Sequence, residues 1–120
     1  MRVVGVLKRL FSRPYATVRS QEVAALLAAG AILLDVREPA EWRAGHAPTA
    51  RHIPLGQLST RVGELPAGRP IVTVCQSGMR SARAASLLAV RGREVSNLAG
   101  GMSAWSRAGL PVITKNGRAA

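Results

Sequence analysis

Ile71-Val72-Thr73-Val74-Cys75-Gln76-Ser77-Gly78-Met79-Arg80-Ser81 decides how the rest of this chain is read. A short apolar run, mostly β-branched, ends on the only cysteine in 120 residues. A loop containing Gly78 follows, then a segment rich in alanine and arginine. The pattern is a buried strand, a tight loop and a helix start. Successive N–H groups of such a loop point into its bowl, with the positive end of the helix beneath them. A free thiol titrates near ~8.5, and a helix N-terminus or a neighbouring cation lowers that by a unit or more. A cysteine at a strand end can also be plain buried structure. Gly78, Arg80 and the helix start beside it favour a reactive, accessible thiolate.

On either side, strand and helix signals alternate. Strands are expected at 16–18, 32–36, 51–53, 70–74 and 94–98. Ser20 reads as the N-cap of a helix that Gly30 stops. Further helices are expected at 39–44, 57–65, 81–90 and 102–108, with Ser81 a candidate N-cap. Continuous apolar strands between helices predict an α/β fold, with a mostly parallel sheet covered on both faces. Ligands of such sheets bind at the carboxyl ends of strands, where Cys75 and Asp35-Val36-Arg37 both fall.

A chain of 120 residues, 48% hydrophobic, is expected to form one folded core. One cysteine excludes an internal disulfide, and no Cys/His spacing resembles a zinc site. A lone thiol suits a reducing compartment, so a cytoplasmic location is expected. No apolar run approaches the length of a membrane span. Seventeen Lys and Arg against six Asp and Glu give a formal charge of +11, which favours anionic partners. Nucleic acid is not expected among them: the arginines are spread along the chain and only four aromatics interleave with them.

Residues 1–14 form a separate expectation. Val3, Val4, Leu7, Leu10 and Phe11 line one helical face, Arg2, Lys8, Arg9 and Arg13 lie off it or at its edge, and Pro14 ends the pattern. A basic amphipathic extension fits peripheral contact with an anionic membrane, and equally fits packing on the domain or self-association through residues 1–13. Lys8 and Arg9 cut the apolar run too short for a secretory signal. The domain is expected over 15–113, with a polar tail over 114–120.

Several motifs in order resemble one family. Leu34-Asp35-Val36-Arg37-Glu38-Pro39-Ala40-Glu41-Trp42, running on to Gly45-His46-Ala47-Pro48, is similar to the D-V-R-E, aromatic and G-H-I-P series of single-domain rhodaneses. Ala50 to Leu55 continues it as A-x-x-I-P-L. Cys75 to Ser81 resembles the active loop C-x-x-G-x-R-S. Leu98 to Trp105 resembles L-x-G-G-x-x-A-W, and Gly109-Leu110-Pro111-Val112 the closing G-[LFY]-P-V. Four pieces in order are specific where each alone is weak. Ala47, Thr49 and His52 depart from the usual residues, away from the loop.

The resemblance implies a three-layer rhodanese-like sandwich with a five-stranded sheet. It implies a sulfurtransferase of the thiosulfate type that works through a persulfide on Cys75, with no metal or organic cofactor. A small anionic sulfur donor and a thiol or protein acceptor are the implied partners. The loop Gln76, Ser77, Gly78, Met79, Arg80 and Ser81 would hold the persulfide, and Arg80 would attract the donor and steady the leaving sulfite. Asp35 reads as structural support, binding loop N–H groups or an arginine; Arg37 could face the pocket or pair with Glu38 or Glu41, and pairing is favoured. His46 is expected to serve a turn, and Trp42 and Trp105 to anchor the core. Related phosphatases use Cys-x5-Arg; the shorter Cys75-x4-Arg80 bowl suits one sulfur atom better than a tetrahedral oxyanion, so phosphatase or arsenate reductase activity ranks below sulfur transfer. A persulfide carrier or docking module without small-molecule turnover is the alternative.

Overall fold

In the computed structural model, residues 14–114 are described. The expected N-terminal amphipathic helix and most of the polar tail lie outside them. Five strands alternate with five helices: β1 (Ala16–Val18), α1 (Ser20–Ala28), β2 (Ile32–Asp35), α2 (Pro39–Ala44), β3 (Arg51–His52), α3 (Leu55–Arg61), β4 (Ile71–Val74), α4 (Met79–Val90), β5 (Val95–Leu98) and α5 (Gly101–Arg107). A 3-10 turn, Val62–Glu64, follows α3.

The strands form one sheet in the order β1-β5-β4-β2-β3, every pair parallel. Period-two alternation sorts the side chains into two cores. Leu34, Val36, Ile71 and Cys75 face Leu58 of α3 and Ala84, Ala85 and Leu88 of α4. Leu33, Val72, Val74 and Leu98 face Val23 of α1 and Met102 and Trp105 of α5. The sheet is therefore the middle of three layers. Both faces are covered, which is why β2 and β4 are buried at every residue. Each fully buried Leu or Val contributes about 1.5–3 kcal/mol of burial.

Helix boundaries correct the sequence reading in three places. Ser20 is the first residue of α1; Arg19 is the cap, its N–H donating to the Glu22 carboxylate at 2.9 Å. The helix expected over 57–65 starts earlier, at Leu55, and tightens into the 3-10 turn at Val62. Met79, not Ser81, begins α4, because Gly78 takes the capping position with φ of 110°, a conformation costly for any residue with a Cβ. Ser81 is thereby carried into the first turn of α4.

Strand order positions the site. β4 and β2 are adjacent at the centre, and their carboxyl ends release the two loops that carry Cys75 and Asp35. No helix among the described residues is long and apolar enough to cross a membrane.

Candidate active site

Cys75 leaves β4 with its sulfur beneath the loop. The Gly78 N–H donates to Sγ at 3.1 Å and the Ser81 hydroxyl at 3.3 Å. Burial of the sulfur pushes its pKa up, but the Ser81 hydroxyl and the N–H groups of Ser81, Gly78 and Ser77 stabilise the thiolate. The balance falls below the ordinary thiol range. α4 starts just beyond, adding its N-terminal field. The residue is 1% exposed, so the accessible thiol expected from sequence is instead enclosed.

Two neighbours fix the loop from below. The Thr73 hydroxyl donates to the Ser81 carbonyl at 2.9 Å, and Asn97 Nδ2 donates to the Gly78 carbonyl at 3.1 Å. Both side chains are buried, Thr73 in the otherwise apolar β4 and Asn97 next to Ser96 in β5. Sequence reasoning missed them, although a polar residue in such a strand needs a partner and so points to one.

A third support comes from α5. The Met102 N–H donates to the Cys75 carbonyl at 2.7 Å and the Ser103 N–H to the Gln76 carbonyl at 3.1 Å. With those carbonyls held by α5, the N–H groups further along the loop are free to face the sulfur. The approach needs Gly101: a Cβ there would collide with the Cys75 carbonyl oxygen and stand 2.7 Å from the Gln76 carbonyl carbon. The Gly100-Gly101 pair thus does more than turn the chain after β5.

Asp35 and Arg37 form the second polar group, at 0% and 4% exposure. Arg37 Nε donates to Asp35 Oδ1 at 3.0 Å and Nη2 to Oδ2 at 2.8 Å. Nη2 also reaches the Gly45 carbonyl at 2.8 Å and Nη1 reaches Gln76 Oε1 at 3.3 Å. The expected pairing of Arg37 with Glu38 or Glu41 is therefore wrong. Asp35 lies two residues back on the same strand end, and its carboxylate also accepts the Arg37 N–H at 3.0 Å, a compact turn those glutamates cannot make. Through Gln76 the pair touches the loop.

Glu41 instead takes Arg80. Nη1 and Nη2 reach its two oxygens at 2.6 and 2.8 Å. This bidentate bond, more than the opposing burial, holds the Glu41 carboxyl at about 2 and pushes Arg80 above the usual guanidinium range. The arginine that the sequence offers to an anionic donor is thus already occupied, by a residue 39 positions away.

Trp42 is half-buried rather than a core anchor. Its ring stacks on His46, at 3.5 Å between centroids, and on His52, at 4.7 Å. His46 Nδ1 donates to the Trp42 carbonyl at 2.8 Å, and its backbone pairs with Ile113, so it serves the turn. Trp105 is buried as expected, its Nε1 donating to the Pro111 carbonyl at 2.9 Å. No group of three or more His, Cys, Asp or Glu among the described residues is placed to hold a metal ion.

A family model, the rhodanese-like domain, matches residues 20–108. The chain belongs to the rhodanese-like domain family. This rhodanese-like domain is 40% identical over 87 residues to a protein of Allochromatium vinosum named a sulfurtransferase, covering 72% of this chain and 81% of that one. It is 40% identical over 75 residues to the putative sulfur carrier protein YrkF of Bacillus subtilis, covering 62% of this chain but only 40% of that one. Among solved structures, a rhodanese-related protein from Thermoplasma volcanium superposes with a TM-score of 0.77 at 27% identity, over 82% of this chain and 98% of that one.

Proposed function

We propose that this protein is a sulfurtransferase that moves sulfane sulfur through a persulfide on Cys75. The observation that carries this reading is the pair of donors aimed at Sγ, the Gly78 N–H and the Ser81 hydroxyl, in a loop whose carbonyls are held elsewhere. The likeness to the Allochromatium vinosum sulfurtransferase supports the same chemistry.

Cys75 is the nucleophile. As thiolate it attacks the outer sulfur of thiosulfate or a similar donor. The S–S bond of the donor breaks, sulfite leaves with the bonding pair, and Cys75 carries the second sulfur as a persulfide anion. The loop from Gln76 to Ser81 receives that anion through its N–H groups, with Met79 exposed at its outer edge. A nucleophilic acceptor, cyanide in an assay and a thiol or protein in the cell, then takes the outer sulfur and restores the thiolate. Asp35 and Arg37 act as support, bracing Gln76. A thiol that works this way suits a reducing, cytoplasmic setting.

A carrier role is the second reading, favoured by the enclosure of Cys75: at 1% exposure, an attached sulfur is sheltered from solvent and from a second cysteine. The likeness to a putative sulfur carrier points the same way.

Intact mass separates these readings from none. Thiosulfate should add one sulfur, about 32 Da, as expected of a reactive thiolate. Cys75→Ser should lose both the adduct and turnover. An adduct that survives in Cys75→Ser would overturn the assignment. Turnover with cyanide marks an enzyme, whereas a single equivalent discharged only to a protein thiol marks a carrier.

A further inference from the structure

The two arginines that belong to or touch the thiol's loop are matched by carboxylates. Arg37 is bound to Asp35, and Arg80, the one charged side chain of the loop, is bound through both terminal nitrogens to Glu41. Arg80 holds the Glu41 carboxyl at about 2, which favours its ionised form at neutral pH. The pair also borders two depressions lined by residues of the loop. Glu41 lines a depression of about 290 Å³ with Arg37 and Gln76, and Arg80 lines another of about 550 Å³ with Ser77 and Met79. Arg83 borders the second depression but stands exposed, where solvent and salt screen it. What remains to hold an incoming sulfur is backbone N–H groups, a hydroxyl and the helix field, which carry no net side-chain charge.

We propose that Glu41 sets the charge class of the sulfur donor. By holding Arg80 it withholds the loop's cation from dianions such as thiosulfate, and leaves the bowl suited to sulfane sulfur on a singly charged carrier, an organic persulfide or thiosulfonate. The proposal rests on the sulfur-transfer reading and deepens it. Glu41 touches no reacting atom; it acts through Arg80 and is a positioning residue.

Two donors with the same outer sulfur and different charge test it. Thiosulfate carries two negative charges and benzenethiosulfonate one. In both, the Cys75 thiolate bonds to the outer sulfur and the S–S bond breaks. The electron pair leaves on sulfite or benzenesulfinate, and charge balances in each case. The measured quantity is the ratio of kcat/KM for thiosulfate to that for benzenethiosulfonate, on the full chain. Glu41→Gln should raise the ratio about five- to fifty-fold, mostly through a lower thiosulfate KM, as a freed guanidinium gains charge-assisted contacts. Arg80→Gln leaves Glu41 unbalanced at the approach and should lower the ratio. The double variant should return it toward wild type. If one single variant fails to fold, the other still decides, since the two shift the ratio in opposite directions. A ratio unchanged in either single variant, or moved the same way in both, overturns the proposal, as does a purely structural loss that lowers both donors together. Wild-type protein that takes sulfur from neither donor overturns sulfur transfer itself instead.

Discussion

Two loops leave adjacent parallel strands of this sheet, and they are built from different materials. The one after β4 surrounds a sulfur mainly with backbone: N–H groups, a left-handed glycine and carbonyls pinned by α5. The one after β2 surrounds a guanidinium with side chains and a carbonyl: Asp35, Gln76 and the Gly45 carbonyl around Arg37. Backbone donors need no side-chain ordering and accept a ligand without giving up a partner. A buried ion pair is a closed set, and neither member can leave without stranding the other. The β4 loop therefore can do chemistry, and the β2 loop can hold it in place.

That division is broken most severely by Asp35→Ala. Arg37 would remain buried with its main partner gone, which should destabilise the fold by about 3–5 kcal/mol. Denaturant titration checks this. Protein that remains folded should still take sulfur at Cys75, because the donors to Sγ are untouched; a variant of unchanged stability would mean that Arg37 finds another partner.

Gly101→Ala tests the other loop. The added methyl would press on the Cys75 and Gln76 peptide, with an overpacking cost of about 1–3 kcal/mol. Here the rate should suffer more than the stability, since the displaced peptide carries the proposed nucleophile. Loss of sulfur uptake beyond the loss of folded protein, read by mass and circular dichroism together, is the expected result. Equal losses would erase the distinction between the loops.

The smallest effect is expected from Ser81→Ala. Removing the hydroxyl takes away the leading stabilisation of the thiolate, so the Cys75 pKa should rise. Sulfur uptake needs the thiolate and climbs with pH through that pKa; in the variant the climb should occur at higher pH, with the alkaline plateau little changed. Stability follows the same sign. Folding lowers the thiol's pKa, so its contribution is present above the unfolded thiol's titration and is lost as pH falls through the folded one. A pH profile that does not move would leave the backbone donors alone in control of the sulfur.

Local features of this chain are legible in its sequence, and long-range pairings are not. The apolar runs of β2 and β4 give the buried strands, Pro39 and Gly45 bracket α2, and Cys75 with Gly78 marks the loop. Ser81 misleads because serine is a good N-cap; only the left-handed Gly78 shows that the cap is taken and the hydroxyl turned to the sulfur. Arg80 with Glu41 and Asn97 with Gly78 join segments that become neighbours only through strand order, which periodicity does not encode. Thr73 leaves a faint mark as a polar residue in an apolar strand, and Asn97 a fainter one beside Ser96, but neither gives a sign of what it holds.

The stacked Trp42 gives the molecule an optical handle of its own. Of its two tryptophans, Trp105 is sealed in the core and supplies a constant background. Trp42 stacks on two imidazoles, and contact of that kind quenches indole fluorescence. It sits one residue from Glu41 on α2, and His52 is tied through Nε2 to the Arg37 carbonyl at 2.7 Å. Glu41 and Trp42 are thus neighbours on one short helix, and the emission of Trp42 reports on the ground beside the Glu41–Arg80 pair. That ground can be watched by emission, with no label attached and no second cysteine introduced.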